Sequence, residues 1–321
     1  MKRRELLLLG AAIAWPATLR AQQKMRTVGL LWNDSIRPSP YAGILSEALA
    51  QRGHIVGRNL RFDDAVALEG YGPMAANASR LIEAKVDLIV TYGATAMLAA
   101  AKATKEIPII AITGSDPVKL GLASSLSRPG GNVSGLWTLS TDLNRKRMEL
   151  LKQIAPSASR IGVLFAPGGN VQAALEESRA GAKAMKLEAL TAEVKTADEI
   201  EATVDSLARS RVGAFFVVPS TQLAAHGQRV VDAIARHRLP AIYGHERFVD
   251  SGGLLAYTPS IRKAFARIAN HVDRVLQGGR PGDMPIEQTS DVELLINLKT
   301  AKALGISIPQ PILQRADRAI E

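Results

Sequence analysis

The stretch "DLIVTYGATAMLAAAKATKEIPIIAIT", Asp87–Thr113, reads as strand, helix, strand. "DLIVTYG" (Asp87–Gly93) and "IPIIAIT" (Ile107–Thr113) are short, rich in β-branched residues and bounded by Gly or Pro. Runs of that kind suit strands buried on both faces. Thr95–Lys105 between them reads as a helix, and strict strand–helix alternation implies a parallel sheet. Upstream the same alternation gives a strand in "TVGLLWN" (Thr27–Asn33), a helix over Tyr41–Arg52, a strand in "NLRFDDAVA" (Asn59–Ala67) and a helix over Met74–Ala84.

After "RPGGNVSGLW" (Arg128–Trp137) the pattern starts afresh. Helices are predicted over Asp142–Ile154, Val171–Met185, Ala197–Ser210 and Gln222–Arg236. They alternate with the strands "RIGVLFAP" (Arg160–Pro167), "LEALTAEV" (Leu187–Val194), "AFFVVPS" (Ala214–Ser220) and "LPAIYGH" (Leu239–His245). "GGLLAYTP" (Gly252–Pro259) is a further strand, Ile261–Gln277 a long helix, "GGRPGDMP" a turn-rich link and "IEQT" (Ile286–Thr289) a short strand. Two similar α/β lobes in tandem, completed by a returning chain, describe a bilobed molecule with a cleft. Open parallel sheets bind ligands beyond the carboxyl ends of their strands, so the strand-end loops are the segments to inspect.

Composition agrees with a soluble two-domain protein. The chain has 321 residues, 47% apolar and 22% charged; at about 150 residues per domain that is two domains, with enough apolar content to exclude a largely disordered chain. Aromatics are only 4%, so the cores must be mostly Leu, Ile, Val and Ala. Of the net charge of +10, the first residues supply +3 (Lys2, Arg3, Arg4 and Arg20 against Glu5), and the rest is scattered without a basic run of the nucleic-acid-binding kind. No cysteine is present, which excludes disulfides, thiolate metal sites and thiol nucleophiles.

"MKRRELLLLGAAIAWPATLRAQQ" has a basic opening, an apolar stretch from Leu6 to Trp15, and a Pro and a small residue, Ala21, after it. This is the anatomy of an export signal, too short to span a bilayer comfortably. Residues 1–21 are expected to be removed, leaving a periplasmic protein that begins near Gln22. Arg3-Arg4 followed by x-Leu-Leu also fits a twin-arginine signal.

Catalytic and cofactor motifs are missing. The sequence holds no G-x-G-x-x-G after a strand, no G-x-x-x-x-G-K-[ST], no G-x-S-x-G and no H-E-x-x-H. His54, His226, His237, His245 and His271 are isolated, with His245 set apart by its place at a strand end. No cofactor, no metal and no enzymatic activity are expected.

Four strings together resemble one family: "YGATAMLAA" (Tyr92–Ala100), "ITGSDPVKLGLASSLSRPGGNVSGLW" (Ile112–Trp137), "KRMELLKQIAPSASRIGVLFAP" (Lys146–Pro167) and the tail "ELLINLKTAKALGISIPQPILQRADRAIE" (Glu293–Glu321). They are similar to the substrate-binding proteins of ABC importers of the tryptophan/tyrosine type, over nearly the whole mature chain. The resemblance implies a type I periplasmic-binding-protein fold: two Rossmann-like lobes with parallel sheets, joined by a three-crossover hinge that closes around one small ligand. The expected division is 25–138 plus 260–285 for the N-terminal lobe and 139–259 plus 286–321 for the C-terminal lobe. The crossovers fall near Leu136–Asp142, Tyr257–Ile261 and Gly282–Asp291.

Candidate ligand contacts follow from the strand ends. Gly93, Ala94 and Thr95 stand where a strand gives way to a helix, so the Thr95 hydroxyl and nearby backbone N–H groups can cap the helix, hold a carboxylate, or do both. Ser115 and Asp116 play the same role at the end of the next strand, with Asp116 alternatively capping a helix through "PVKLGLASSL". In the second lobe the candidates are Asn170 of Gly168-Gly169-Asn170, the polar trio Ser220, Thr221 and Gln222, and His245 and Glu246 of Gly244-His245-Glu246-Arg247. Asn33, Asp34 and Tyr41 surround the first strand end, with Tyr41 a candidate stacking ring. Trp137 and Thr138 lie beside the first crossover, where Trp137 is either a ligand wall or core.

The resemblance also marks a departure. Relatives built for aromatic amino acids tend to carry acidic residues at the positions of Thr138 and Thr221, suited to an ammonium group. Hydroxyls, amides and helix N-termini suit a carboxylate better. The expected function is a periplasmic receptor that captures a small carboxylate-bearing, aromatic or non-aromatic ligand and delivers it to an inner-membrane ABC permease, as a monomer without nucleic-acid partners. An aromatic amino acid receptor of the same family is the alternative, with Asp34, Asp116 or Glu246 as the ammonium partner. A ligand-sensing regulator on the same fold is more distant, since it needs a helix-turn-helix ahead of the lobes.

Overall fold

A computed structural model of the chain describes residues 25–32, 39–64, 74–168 and 171–321. The expected leader, residues 1–21, lies outside them. The first lobe opens as β1 (Arg26–Leu31), α1 (Pro40–Ala50), β2 (Leu60–Asp64), α2 (Met74–Glu83), β3 (Leu88–Tyr92), α3 (Ala94–Ala103), β4 (Ile109–Thr113) and β5 (Val133–Trp137). The second lobe runs α4 (Asn144–Ile154), β6 (Arg160–Phe165), α5 (Val171–Ala184), β7 (Glu188–Glu193), α6 (Ile200–Arg209), β8 (Ala214–Val217), α7 (Thr221–Ala225), α8 (Gly227–Ala235), β9 (Ala241–Tyr243), α9 (Arg247–Asp250) and β10 (Leu255–Pro259). The chain then returns to the first lobe as α10 (Ile261–Leu276) and β11 (Glu287–Gln288). It ends in the second as β12 (Val292–Asn297), α11 (Leu298–Leu304), α12 (Gln310–Leu313) and β13 (Arg318–Ile320).

The two sheets repeat one order. The first is β2-β1-β3-β4-β5-β11 and the second β7-β6-β8-β9-β10-β12-β13. Among the described strands all pairs are parallel except β10 with β12. Strands β3 and β4 are buried along their whole length, as their β-branched composition requires of strands covered by helices on both faces. Each sheet therefore separates two cores. In the first lobe one core gathers α1 and α10 around Leu45, Leu49, Phe265 and Ile268, and the other gathers α2 and α3 around Leu81, Met97 and Ala100. In the second lobe α4 and α5 cover one face through Met148, Leu151 and Leu175, and α6, α8 and α9 cover the other through Val204, Ile234 and Phe248.

The chain passes between sheets three times: between β5 and α4, at Ser260 between β10 and α10, and between β11 and β12. The second and third passages are tied by the Ser260 N–H donating to the Asp291 carbonyl at 2.8 Å. The expected lobe boundary at 285/286 needs correction. β11 pairs with β5, Glu287 beside Leu136 and Gln288 beside Trp137, so the chain leaves the first sheet only after Gln288.

Two helix assignments also change. The stretch "PVKLGLASSL" is a series of turns, because Gly121 takes a left-handed φ of 71°, which ends any helical course within its first turn. The helix expected over Gln222–Arg236 is broken at His226, whose φ of −107° and ψ of 30° separate α7 from α8.

Candidate functional site

The carboxyl ends of β3 and β4 face those of β6, β8 and β9, and a cavity of about 120 Å3 lies between them. That is comparable to the ~150 Å3 cavity that accepts a benzene ring. The first lobe contributes Tyr92, Gly93, Ala94, Thr95, Gly114 and Ser115, and the first crossover adds Thr138, Ser140 and Thr141. The second contributes Ala166, Pro167, Gly168, Val218, Pro219, Ser220, Thr221, Gln222, Gly244, His245, Thr258 and Pro259, with Val171 and Ala174 of α5 and Ile261 of α10 completing the wall. No Asp, Glu, Lys or Arg is among these described lining residues.

Local geometry explains how each polar group is presented. Helix α3 starts at Ala94, and its N-cap is Gly93, with φ 89° and no side-chain cap. Thr95 is thus the second residue of the helix rather than its cap, and the N–H groups of this first turn have no partner within the helix. They stand beside the cavity at the positive end of a helix of ten residues. Ser115 is fixed by its N–H donating to Thr113 Oγ1 at 3.1 Å. The Thr138 hydroxyl donates to the Thr113 carbonyl at 3.2 Å, which leaves its oxygen able to accept where Thr138 lines the cavity. Ser220 caps α7 by accepting from the Leu223 N–H at 3.2 Å, which leaves its hydroxyl proton to donate.

The lobes touch across this cavity. Tyr92 Oη and His245 Nε2 are 2.9 Å apart. His245 Nδ1 accepts from the Arg247 N–H at 3.2 Å, which places the proton of a neutral ring on Nε2, facing Tyr92. Glycine permits the close approach. A Cβ on Gly168, whose φ is 106°, would stand 2.8 Å from Thr95 Oγ1, and one on Gly93 would stand 3.1 Å from the Thr221 side chain.

A second cross-lobe cluster lies behind the cavity. The buried Tyr41 ring stacks on Phe265 at 5.0 Å, its hydroxyl donates to Glu246 Oε1 at 3.3 Å, and the Arg247 guanidinium sits 5.0 Å from its centroid. Burial, reinforced by Asp250 and Glu293, pushes the Glu246 carboxyl up to about 7. A carboxyl raised above its ordinary 4.5 holds its proton longer when folded, so stability falls as pH rises from about 4.5 to about 7 and is level above. Glu246→Gln is therefore expected to leave stability unchanged near pH 4 and to raise it at pH 8, by at most about 3 kcal/mol at ~1.4 kcal/mol per pH unit. Thermal unfolding of both forms at the two pH values measures this; a variant less stable at pH 8 would reverse the sign and refute it.

Of the residues expected from the sequence, Gly93, Ala94, Thr95, Ser115, Thr138, Ser220, Thr221, Gln222 and His245 come together on the cavity. Tyr41 and Glu246 belong instead to the cluster behind it and border a separate surface groove. Asp116 accepts the N–H groups of Val118 and Lys119 at 2.9 and 3.2 Å, which caps a turn away from the cavity. Trp137 ends β5 beside Gln288 and does not line the cavity. Asn33, Asp34 and Asn170 lie outside the described residues. Ser140, Thr141 and Thr258 line the cavity without having been expected there. The hydroxyl-rich "TLST" (Thr138–Thr141) following β5 is the signal that would have found the first two.

Comparisons with known proteins fit this geometry. A family model described as ABC transporter substrate binding protein matches residues 34–320. The Tyrosine-binding protein of Clostridioides difficile (strain R20291) is 31% identical over 263 residues, 81% of this chain and 75% of that one. The solved structure of the ABC domain in complex with L-Trp from Streptococcus pneumonia has a TM-score of 0.81 at 26% identity, covering 92% of this chain and 100% of that one. The ligand-free, open structure of a substrate binding protein with adhesive properties from Clostridium difficile has a TM-score of 0.62 at 25% identity, covering 92% and 99%. The fold is that of the type I periplasmic binding proteins. By sequence and by structure, the chain belongs to the ABC transporter substrate-binding protein family, whose role is to bind a small molecule rather than to transform it.

Proposed function

We propose that this chain is an exported, periplasmic receptor that captures a small carboxylate-bearing ligand between its lobes and presents it, as a monomer, to an ABC permease in the inner membrane. The lobes act as two units that close by a population shift toward the state described above. One observation carries the ligand class: the described cavity wall bears no charged side chain, yet gathers hydroxyls around the N-terminal turn of α3. An exposed helix N-terminus favours an anion by about 0.3–1 kcal/mol, and a partly buried one by up to about 2 kcal/mol. Among the described residues an ammonium group would meet no carboxylate there, since Glu246 and Asp116 are turned to other partners; Asp34 lies outside the described residues.

The alternative is an aromatic amino acid. It is favoured by the relatives, one a Tyrosine-binding protein and one solved with L-Trp. Calorimetry with tryptophan and tyrosine against their deaminated acids, indole-3-propionate and 3-(4-hydroxyphenyl)propionate, separates the two. The deaminated acids are expected to bind at least as tightly as the amino acids. Thr95→Val is expected to weaken the bound acid about tenfold, the loss of one hydrogen bond to a charged group. Binding of the amino acids alone would reject the carboxylate reading in favour of the alternative. Unchanged affinity in Thr95→Val would leave Thr95 a purely structural residue of α3.

A further inference from the structure

Helix α4 carries a guanidinium that the binding cavity does not touch. Arg147 is wholly buried, and its hydrogen bonds go to no carboxylate. Nε donates to the Tyr257 carbonyl at 2.7 Å. Nη1 donates to the Ser140 carbonyl at 2.7 Å and to Asn144 Oδ1 at 2.5 Å, and Nη2 reaches Ser140 Oγ at 3.4 Å. A buried arginine is ordinarily paired with an acid. Here the partners are main-chain carbonyls of the first connecting segment and of β10, with the Asn144 amide oxygen of its own helix. Ser140 lies in the first passage between lobes, and Tyr257 lies in β10, just ahead of Ser260 in the second.

A second observation falls on the same segment. Leu139, next to Ser140, has a φ of 52°, a left-handed conformation that a branched side chain rarely adopts and that persists only when its surroundings hold it. Ser140, Thr141, Thr258 and Pro259 all stand on the cavity wall, so whatever fixes these two passages also fixes that wall. Burial lowers the guanidinium to about 9, which leaves it protonated at neutral pH.

We propose that Arg147 is a positioning residue of the cleft: it pins the first passage to the strand feeding the second, so that both bend as one hinge and keep their hydroxyls at a fixed spacing. The planar fork spans two carbonyls at once, which a lysine ammonium at the end of a flexible stem does not. The functional consequence rests on the cavity being the binding site, but the pin itself is read without any ligand.

Hydrogen exchange of the full mature chain, ligand-free, in the wild type, Arg147→Lys and Arg147→Met tests it. In the wild type, residues 138–143 exchange slowly. In both variants, exchange in 138–143 and 257–260 rises at least tenfold while β6 and β8 keep their protection. Arg147→Lys retains the charge and still fails to restore the two segments. Rapid exchange of 138–143 in the wild type, full rescue by lysine, or an equal rise in β6 and β8 would each overturn the pin. Should Arg147→Met not fold, the wild type and the lysine form still decide. A failed ligand screen leaves these readouts intact, so it counts against the carboxylate reading alone.

Discussion

Gly135→Ala is expected to destabilise the first lobe by more than about 4–5 kcal/mol. Gly135 lies in the middle of β5, paired with Ala111 of β4, and its φ is 133°. A Cβ there would collide with the Ala111 carbonyl oxygen and stand 2.7 Å from its nitrogen and 2.9 Å from its carbonyl carbon. All three are backbone atoms of the neighbouring strand, so relief requires moving β4 away from β5. Strain at a disallowed φ costs about 1–3 kcal/mol by itself, and breaking a buried ladder adds more. A loss above about 4–5 kcal/mol, exceptional for one substitution, is a large share of the stability of a typical domain. Gly278→Ala is the control. Its φ of 98° is equally unusual, but nothing lies within 4 Å of the added Cβ, so only strain of about 1–2 kcal/mol is expected. Urea unfolding followed by circular dichroism compares them. A Gly135→Ala protein as stable as Gly278→Ala would show that the strands yield where the geometry says they cannot.

The sheets are legible in the sequence because burial on both faces leaves a local mark: short β-branched runs such as "IPIIAIT" have no other comfortable home. What stays illegible depends on partners distant in sequence. The break at His226 comes just before Gly227, where a Cβ would stand 3.1 Å from Ser251 Oγ, a neighbour that no local pattern announces. Strand-end hydroxyls such as Thr95 and Ser115 fall on the cavity, where the general rule for open parallel sheets puts them. Thr258, at the carboxyl end of β10, obeys the same rule, but Ser140 escapes it, because it reaches the cavity from the passage between lobes. Arg147 sits in "NRKRMELL", where a basic residue reads as solvated, and the carbonyls of Ser140 and Tyr257, with the Asn144 amide oxygen, make its burial tolerable. Tyr41 reads as a ligand ring as long as its real neighbour, Phe265 of the returning helix α10, stays more than two hundred residues away along the chain.

That neighbour sets the second large effect. Phe265 is wholly buried and is the ring on which three others rest: Tyr41 stacked at 5.0 Å, and Trp32 and Tyr92 edge-on at 5.5 and 5.6 Å. Truncating a core Phe to Ala costs about 3–5 kcal/mol, and each lost ring pair adds about 0.5–1.5 kcal/mol. Phe265→Ala is therefore expected near the upper end of that range. The consequence reaches beyond the first lobe, because Tyr41 and Tyr92 are the residues that meet Glu246, Arg247 and His245 across the cleft. Loosening them weakens both cross-lobe clusters at once and shifts the lobes apart. Phe265→Leu separates the two effects. It keeps most of the apolar volume, at a cost of about 1–2 kcal/mol, yet gives Tyr41 no flat face to stack on. Chemical denaturation should show stability largely restored by leucine, while small-angle scattering should show both variants more expanded than the wild type. Expansion confined to the alanine form would mean that packing volume, not ring geometry, holds the tyrosines against the second lobe.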